Sequence, residues 1–313
     1  DHEWINKTIY QNAYVRTDSF FDNSPLSSSG LPSDAELKLL NPWRDQIPSE
    51  VFTETFTPPK TDGSGNARKN LLQAKEILKE EGWIIKNNKL IKDGKEFKFE
   101  FLIVSPSDEK IALAYQSNLK KLGITMEVRT VDSSQYQARL LNYDFDMIKR
   151  YWGVSLSPGN EQQFYWGSEV GKKDGSRNYP GINSPAVDAL IEKLISAKNR
   201  EELTTAIHAL DRVLLWGHYV VPLYHSNKDR IAYWDFFEYP EKISKYEIKK
   251  IIPEIKPNIN PTIGKAQKDL SNSGGVSLIL SQGIGITDKT IKAESISFNK
   301  SSMSGLSFFM HNT

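Results

Sequence analysis

The stretch Phe97-Lys98-Phe99-Glu100-Phe101-Leu102-Ile103, with the run from Ser107 to Gly123 and then Ile124-Thr125-Met126-Glu127-Val128, decides the fold. Phe97, Phe99, Phe101 and Ile103 alternate with Lys98, Glu100 and Leu102, the period of two of a strand with one buried face. Ile111, Tyr115, Leu119 and Leu122 then recur at helical spacing. Ser107 stands where an N-cap is needed, and Asp108 and Glu109 suit the positive helix start. Gly123 stops the helix, and Ile124, Met126 and Val128 resume the alternation. Strand, helix and strand in this order predict two parallel strands joined by a right-handed crossover, and so an α/β fold.

Working outward, residues 66–81 predict an amphipathic helix with Leu71, Ala74, Ile77 and Leu78 on one side and Gly82 at its end. Residues 86–92 and 96–103 predict a strand pair around Asp93-Gly94. Nearer the start, Trp4, Ile5 and Ile9 suit one face of an opening helix, and Ser33 with Glu36 forms a capping box. Downstream come a short helix over 133–141, a strand over 145–152 and a long irregular segment over 153–184. Two helices follow, begun at Ser184-Pro185 and at Asn199 with Glu202, and then a last strand over 220–224. Beyond about Pro253 tryptophan and tyrosine vanish and serine, glycine and lysine dominate. That composition predicts a disordered or divergent tail over 263–313.

Composition excludes several classes of function. Forty lysines and arginines stand against 39 acids, a formal charge of +1, which argues against a nucleic-acid surface as the main function. Without cysteine there is no disulfide frame, thiolate nucleophile or cysteine metal site. No run approaches the roughly 18 apolar residues of a membrane span. Asp1-His2-Glu3-Trp4 has no basic start before an apolar core, so no signal peptide is read here. The expectation is a cytosolic protein or a piece whose beginning lies elsewhere.

No catalytic constellation emerges. His2, His208, His218, His225 and His311 are scattered, and the serines lack a nucleophile elbow. Gly63-Ser64-Gly65 is too short for a phosphate loop. Asp144 and Asp146 read as solvated edge carboxylates, and His208 as a packed or surface histidine. No enzyme activity, metal or cofactor is expected. The segment leaving strand 145–152 carries more information. A peptide offers backbone donors and acceptors with variable side chains, so a general peptide site needs loop backbone, amides, hydroxyls and aromatic walls. Arg150, Trp152, Ser155, Asn160, Glu161, Trp166 and Asn178 supply these types and are the candidate ligand-binding residues. The alternative for Trp152 and Trp166 is a plain core role. Trp152→Ala separates the two, since a wall residue can be removed without unfolding the domain.

The run Tyr151-Trp152-Gly153-Val154-Ser155-Leu156-Ser157-Pro158-Gly159-Asn160-Glu161-Gln162 resembles the segment after the central strand in the C-terminal lobe of bacterial extracellular solute-binding proteins of family 5. Its nearest likeness is the YejA-like branch, linked to uptake of oligopeptides and microcin C. Asn23-Ser24-Pro25-Leu26 with Ser29-Gly30-Leu31-Pro32, Leu210-Asp211-Arg212-Val213-Leu214-Leu215-Trp216, and Lys228-Asp229-Arg230-Ile231-Ala232-Tyr233-Trp234-Asp235 match as well. The resemblance implies a class C periplasmic binding protein, with residues 1–240 forming most of its second lobe as a mixed sheet with flanking helices. Residues 241–262 would connect toward the first lobe, which lies before Asp1.

The partners so implied are an oligopeptide or peptide-like ligand, an ABC permease in the inner membrane and that missing N-terminal lobe, for a monomer in the periplasm. Two departures stand out. Many peptide-binding members carry an acidic residue shortly after the loop tryptophan, paired with the ligand's amino terminus. Here Val154-Ser155 occupies that place, with no carboxylate until Glu161. The missing ion-paired hydrogen bond is worth about 1.5–3 kcal/mol, so a ligand with a blocked or modified N-terminus is expected. The tail over 263–313 does not resemble the family's return into the first lobe, and the alternative function is a truncated or decayed gene product without transport activity.

Overall fold

The computed structural model describes residues 1–227 in full and, beyond them, the backbone of five strands: Lys228–Trp234, Phe237–Glu238, Glu254–Ile255, Ile291–Ser297 and Gly305–Met310. Two compact units emerge, one of Asp1–His225 with Met303–Thr313, the other of Ser226–Ser302. In the second unit Lys228–Trp234 pairs antiparallel with Ile291–Ser297, and Phe237–Glu238 with Glu254–Ile255. Ile291–Ser297 and Gly305–Met310 are strands inside the segment 263–313, where composition alone predicts none. The rest of that segment lies outside the described residues.

The first unit is built on a mixed sheet. Its strands run in the order Val15–Arg16, Val221–His225, Gly305–Met310, Met147–Trp152, Lys98–Ile103 and Thr125–Thr130. Lys98–Ile103 is parallel to both its neighbours, so the strand–helix–strand expectation holds. Helix Pro106–Lys120 makes the first crossover and helix Ser133–Leu141 the second. The first is capped by Ser105, because Pro106 occupies its opening turn, and the Ser107 hydroxyl instead hydrogen-bonds that of Ser105.

The sheet separates two cores. Phe99, Phe101, Ile103 and Met147 pack with Ile111, Ala112 and Leu119 of the first crossover helix on one face. Leu102, Ile148 and Trp152 pack with Tyr136 and Leu140 of the second on the other. The end of strand Lys98–Ile103 is thus buried on both faces, and Leu102 is as enclosed as Phe101, while Lys98 stays exposed. An alternating pattern predicts one buried face; the two crossover helices add a cover to the other. Fully burying a side chain of this size stabilises by roughly 1.5–3 kcal/mol relative to leaving it exposed.

The expected single strand over 96–103 is divided. Lys95–Glu96 belongs to a small hairpin sheet with Lys89–Lys92 and Ile84–Lys86, while Lys98–Ile103 joins the main sheet. Asp93 and Gly94 both have positive φ, as a tight hairpin turn requires, and Asn87-Asn88 makes a second such turn. Helix Arg68–Glu80 precedes the hairpin and buries no residue fully. The long segment 153–184 is not wholly irregular, since Glu161–Trp166 and Ser168–Gly171 are short helices. Pro185–Ile195 and Arg200–Trp216 form as expected, capped by Ser184 and Asn199.

Candidate ligand-binding site

Strand Lys98–Ile103 has its successor Thr125–Thr130 on one side and Met147–Trp152 on the other. The chain therefore reverses its direction of winding between Lys98–Ile103 and Met147–Trp152. In open α/β sheets ligands bind in the crevice outside the carboxyl ends of the strands at such a point. Two connections leave the strands here: Val104-Ser105 at the head of helix Pro106–Lys120, and the segment 153–160 after Trp152.

Alternation along Met147–Trp152 sends successive side chains to opposite faces. Lys149 forms an ion pair with Asp108 of helix Pro106–Lys120, both of them mostly buried. Arg150 faces the other core. One of its terminal nitrogens donates to the Tyr179 hydroxyl at 3.1 Å, and its guanidinium carbon lies 5.0 Å from the centre of the Tyr179 ring. The Arg150 Nε is buried and has no hydrogen-bond partner among the described residues. Burial pushes the Tyr136 hydroxyl up to about 12, against the pull of the nearby Arg150 charge. Tyr151 is 62% exposed.

The candidate residues separate into two groups. Ser155 and Asn160 are exposed and Glu161 half-buried, on the segment that leaves the strand. The Ser155 hydroxyl accepts from the Ser157 amide at 3.2 Å, and Glu161 accepts from the Gly159 amide at 2.9 Å. Asn160 caps Glu161–Trp166 without a side-chain hydrogen bond. Gly153 and Val154 make no hydrogen bond among the described residues. Arg200 donates to the Leu156 carbonyl and steadies the segment from outside.

Trp152, Trp166 and Asn178 are buried. Trp152 is 6% exposed; its ring centre lies 4.7 Å from that of Trp166, and its Nε1 donates to the Arg177 carbonyl at 3.4 Å. Trp166 donates to Gln162 Oε1 at 3.0 Å and meets Phe20 edge-on at 5.1 Å. Asn178 is 0% exposed. Its amide nitrogen donates to the Gly167 and Ile182 carbonyls at 3.0 and 2.8 Å, and its oxygen accepts from the Ile182 amide at 2.8 Å. With both amide N–H groups engaged inside the protein, Asn178 braces the segment behind the crevice and offers no donor to a ligand.

Phe20, Trp152, Trp166, Leu215, Val220 and Pro222, with Thr17 and Ser19, line a half-open cavity of about 20 Å³. The stretch 17–32 that supplies part of it is held by two neighbouring charges on helix Arg200–Trp216. Asp211, 0% exposed, accepts from the Ser19 hydroxyl (2.8 Å), the Phe20 amide (2.8 Å), the Ser28 amide (3.0 Å) and the Ser28 hydroxyl (2.7 Å). Burial raises its pKa, and those four donors work against the rise. Arg212 pairs with Glu36 at 2.6 Å and donates to the carbonyls of Ser29, Gly30 and Leu31. Burial works against the charge on Glu36, but the neighbouring His208 and the Arg212 ion pair outweigh it and hold its pKa below the ordinary value. The sequence signal for this network was two adjacent charges inside the apolar run Leu210–Trp216.

Other expectations resolve simply. His208 lies 3.6 Å from Glu36, and His225 contacts Thr17 at 3.2 Å and Asp22 at 3.4 Å. His218 sits instead beside Phe56 and Trp216. Asp144 is solvated, as expected, with a surface ion pair to Arg139, whereas Asp146 accepts from the Glu100 amide at 2.7 Å and is not simply a solvated edge carboxylate. Among the described residues no cluster of three or more histidines or acids could hold a metal, and no helix is long and apolar enough to cross a membrane.

Comparison with known proteins bears on the same residues. Residues 1–174 match the family model described as "Bacterial extracellular solute-binding proteins, family 5 Middle". A protein of Sinorhizobium fredii, "Uncharacterized protein y4wM", is 49% identical over 248 residues, covering 79% of this chain and 37% of that protein. The "Probable peptide-binding protein YejA" of Agrobacterium fabrum is 42% identical over 250 residues, covering 79% of this chain and 41% of that protein. The chain thus spans about two fifths of the length of these relatives. Among solved structures, NikZ from Campylobacter jejuni in complex with Ni(L-His) superposes with a TM-score of 0.54 at 16% identity, over 70% of this chain and 38% of NikZ. That likeness is one of fold: the mixed α/β sheet with its flanking helices is the solute-binding protein architecture. On the family match and the identity of its relatives, this chain belongs to the bacterial extracellular solute-binding proteins, family 5.

Proposed function

We propose that this chain forms the second-lobe wall of the substrate-binding component of an ABC-type importer for oligopeptides or peptide-like compounds. The observation that carries the reading is the position of segment 153–160. It is a partly exposed run, with no hydrogen bond from Gly153 or Val154 among the described residues, at the carboxyl end of the strand where the winding reverses. Extended peptides are held largely by backbone hydrogen bonds, and such a segment can provide them. The relative described as a peptide-binding protein at 42% identity supports the ligand class. In this reading the chain binds and does not turn over its ligand, works in the periplasm as a monomer with a first lobe as its partner wall, and hands its cargo to an inner-membrane permease. Microcin C and other modified peptides fall within the same ligand chemistry.

Asp108 is already neutralised by Lys149, and Glu161 is engaged with the Gly159 amide. Residues 153–160 themselves carry no carboxylate to meet a ligand ammonium beside Val154-Ser155, which favours ligands with a blocked or modified N-terminus. The test is to incubate the purified full chain with a mixed pool of free and N-acetylated peptides, wash, and identify retained species by mass spectrometry. Retention of peptides, enriched in acetylated ones, is the expected result. A chain that retains none of the pool ends the peptide reading.

A further inference from the structure

From Met147 to Asn160 the chain carries two cations, Lys149 and Arg150, and no acid. Lys149 is neutralised by Asp108. Arg150 has no ion-pair partner among the described residues. One of its terminal nitrogens donates to the Tyr179 hydroxyl at 3.1 Å, while the enclosed Nε donates to nothing among the described residues. Withdrawing a guanidinium from water without a counter-charge is unfavourable, and a carboxylate placed against it offsets the loss. Arginine suits that role because its planar fork meets both oxygens of a carboxylate at once.

The guanidinium stands at the edge of the sheet where the crevice lies. Tyr136, within its reach, sits in the first turn of helix Ser133–Leu141, just after the carboxyl end of strand Thr125–Thr130. Arg150 is itself near the carboxyl end of Met147–Trp152, and it is half-buried, so part of the residue meets solvent. Three residues of strand separate it from Gly153, about 10 Å along the chain. An extended ligand of three residues spans that distance. Trp152, between the two, donates to the Arg177 carbonyl, and Arg177 is a second, exposed cation on this side. Glu161, the next acid along the chain, is turned to the Gly159 amide.

We propose that Arg150 anchors a carboxylate of the ligand, so that the site takes peptides that are blocked at the amino end and anionic elsewhere. The anchor rests on the peptide-binding reading above, and it adds a charge requirement that segment 153–160 alone would not impose. The carboxylate comes from the ligand's own C-terminus or from an acidic side chain, and both present the same two oxygens to the fork.

Calorimetric titration of the full chain with three probes tests this: N-acetylated trialanine, its C-terminal amide, and the C-terminal amide of N-acetylated alanyl-glutamyl-alanine. The neutral amide should bind at least tenfold more weakly than one of the two anionic peptides. A preference for the free C-terminus and a preference for the glutamyl peptide name the two sources in turn. Arg150→Gln should abolish the preference, and Arg150→Lys, which keeps the charge and loses the fork, should retain part of it. The comparison of probes in the unaltered chain stands where a variant does not fold. Equal affinity for all three peptides, or an undiminished preference in folded Arg150→Gln, would overturn the anchor and leave the peptide reading standing. Failure of all three to bind would overturn the peptide reading and the anchor together.

Discussion

Segments 17–32 and 153–160 are both irregular backbone, and both run beside the tryptophan pair Trp152 and Trp166. The first is turned inward. Its hydroxyls, amides and carbonyls go to Asp211 and Arg212, two buried charges nearly two hundred residues away in sequence. The second is turned outward, with local bonds at Ser155 and Gly159, one bond from Arg200 to Leu156, and none at Gly153 and Val154 among the described residues. Irregular structure inside a protein must satisfy its polar groups internally, whereas irregular structure at a crevice can leave them for a ligand. The difference separates a loop that is scaffold from one that is free to serve a ligand, and both contain family-like motifs.

The contrast is easiest to break at the clamp. Arg212→Ala leaves Glu36 buried without its partner and should cost about 3–5 kcal/mol in urea unfolding. A cost below 1 kcal/mol would mean that segment 17–32 is held by packing alone. Trp152→Ala comes next in size. The sequence suggested it could be removed without unfolding the domain, but its 6% exposure and its contact with Trp166 place it in the core. A loss of about 3–5 kcal/mol is expected for an aromatic of this burial, near the upper end only if no neighbour collapses into the space. Wild-type stability in Trp152→Ala would return the residue to the crevice wall.

A pH titration sharpens the comparison with smaller effects. Burial lowers the His2 pKa from 6.5 to about 4, and its Nε2 is buried without a hydrogen-bond partner among the described residues. Between pH 6.5 and 4 the unfolded chain binds the extra proton, so stability is full above 6.5 and declines as pH falls toward 4. Glu36 adds a second decline at lower pH. Its folded pKa is depressed, so its contribution holds above the ordinary carboxylate range and is lost as pH falls through the folded value. His2→Gln should flatten the upper decline of the urea midpoint and leave the lower one. Persistence of the upper decline would assign it to another group.

The smallest effects belong to the outward segment. Ser155→Ala and Asn160→Ala should change stability by no more than about 0.5 kcal/mol, since neither side chain supports the core. Val154→Asp should be comparably mild for folding but should raise affinity for free-amine over N-acetylated trialanine, by roughly tenfold for a charged hydrogen bond. Unfolding by any of the three, or an unchanged preference in Val154→Asp, would count against reading this segment as the site.

Much of this was legible in the chain. The alternation of Phe97 to Ile103, the helical spacing of Ile111 to Leu122 and the caps Ser33, Ser184 and Asn199 report local geometry, and local geometry follows from neighbours in sequence. The same patterns located the loop after Trp152, and the topology then put that loop at the winding reversal. Short helices within 161–171 escaped notice because a single turn or two carries too little periodicity to register.

By itself, then, the sequence determined the α/β class, the parallel crossover and the segment that leaves the central strand. Only the tertiary structure decided what lies across from each residue. It buried Leu102 by covering the second face of the sheet, and turned Asn178 from a ligand contact into a brace. Asp211 and Arg212 became the clamp of a segment at the far end of the chain, and Gly305–Met310 was placed between two strands whose sequences give no sign of it. The physical reason is that periodicity encodes which face of an element is apolar. Burial, charge pairing and sheet order depend on partners distant in sequence, and those exist only once the chain has folded.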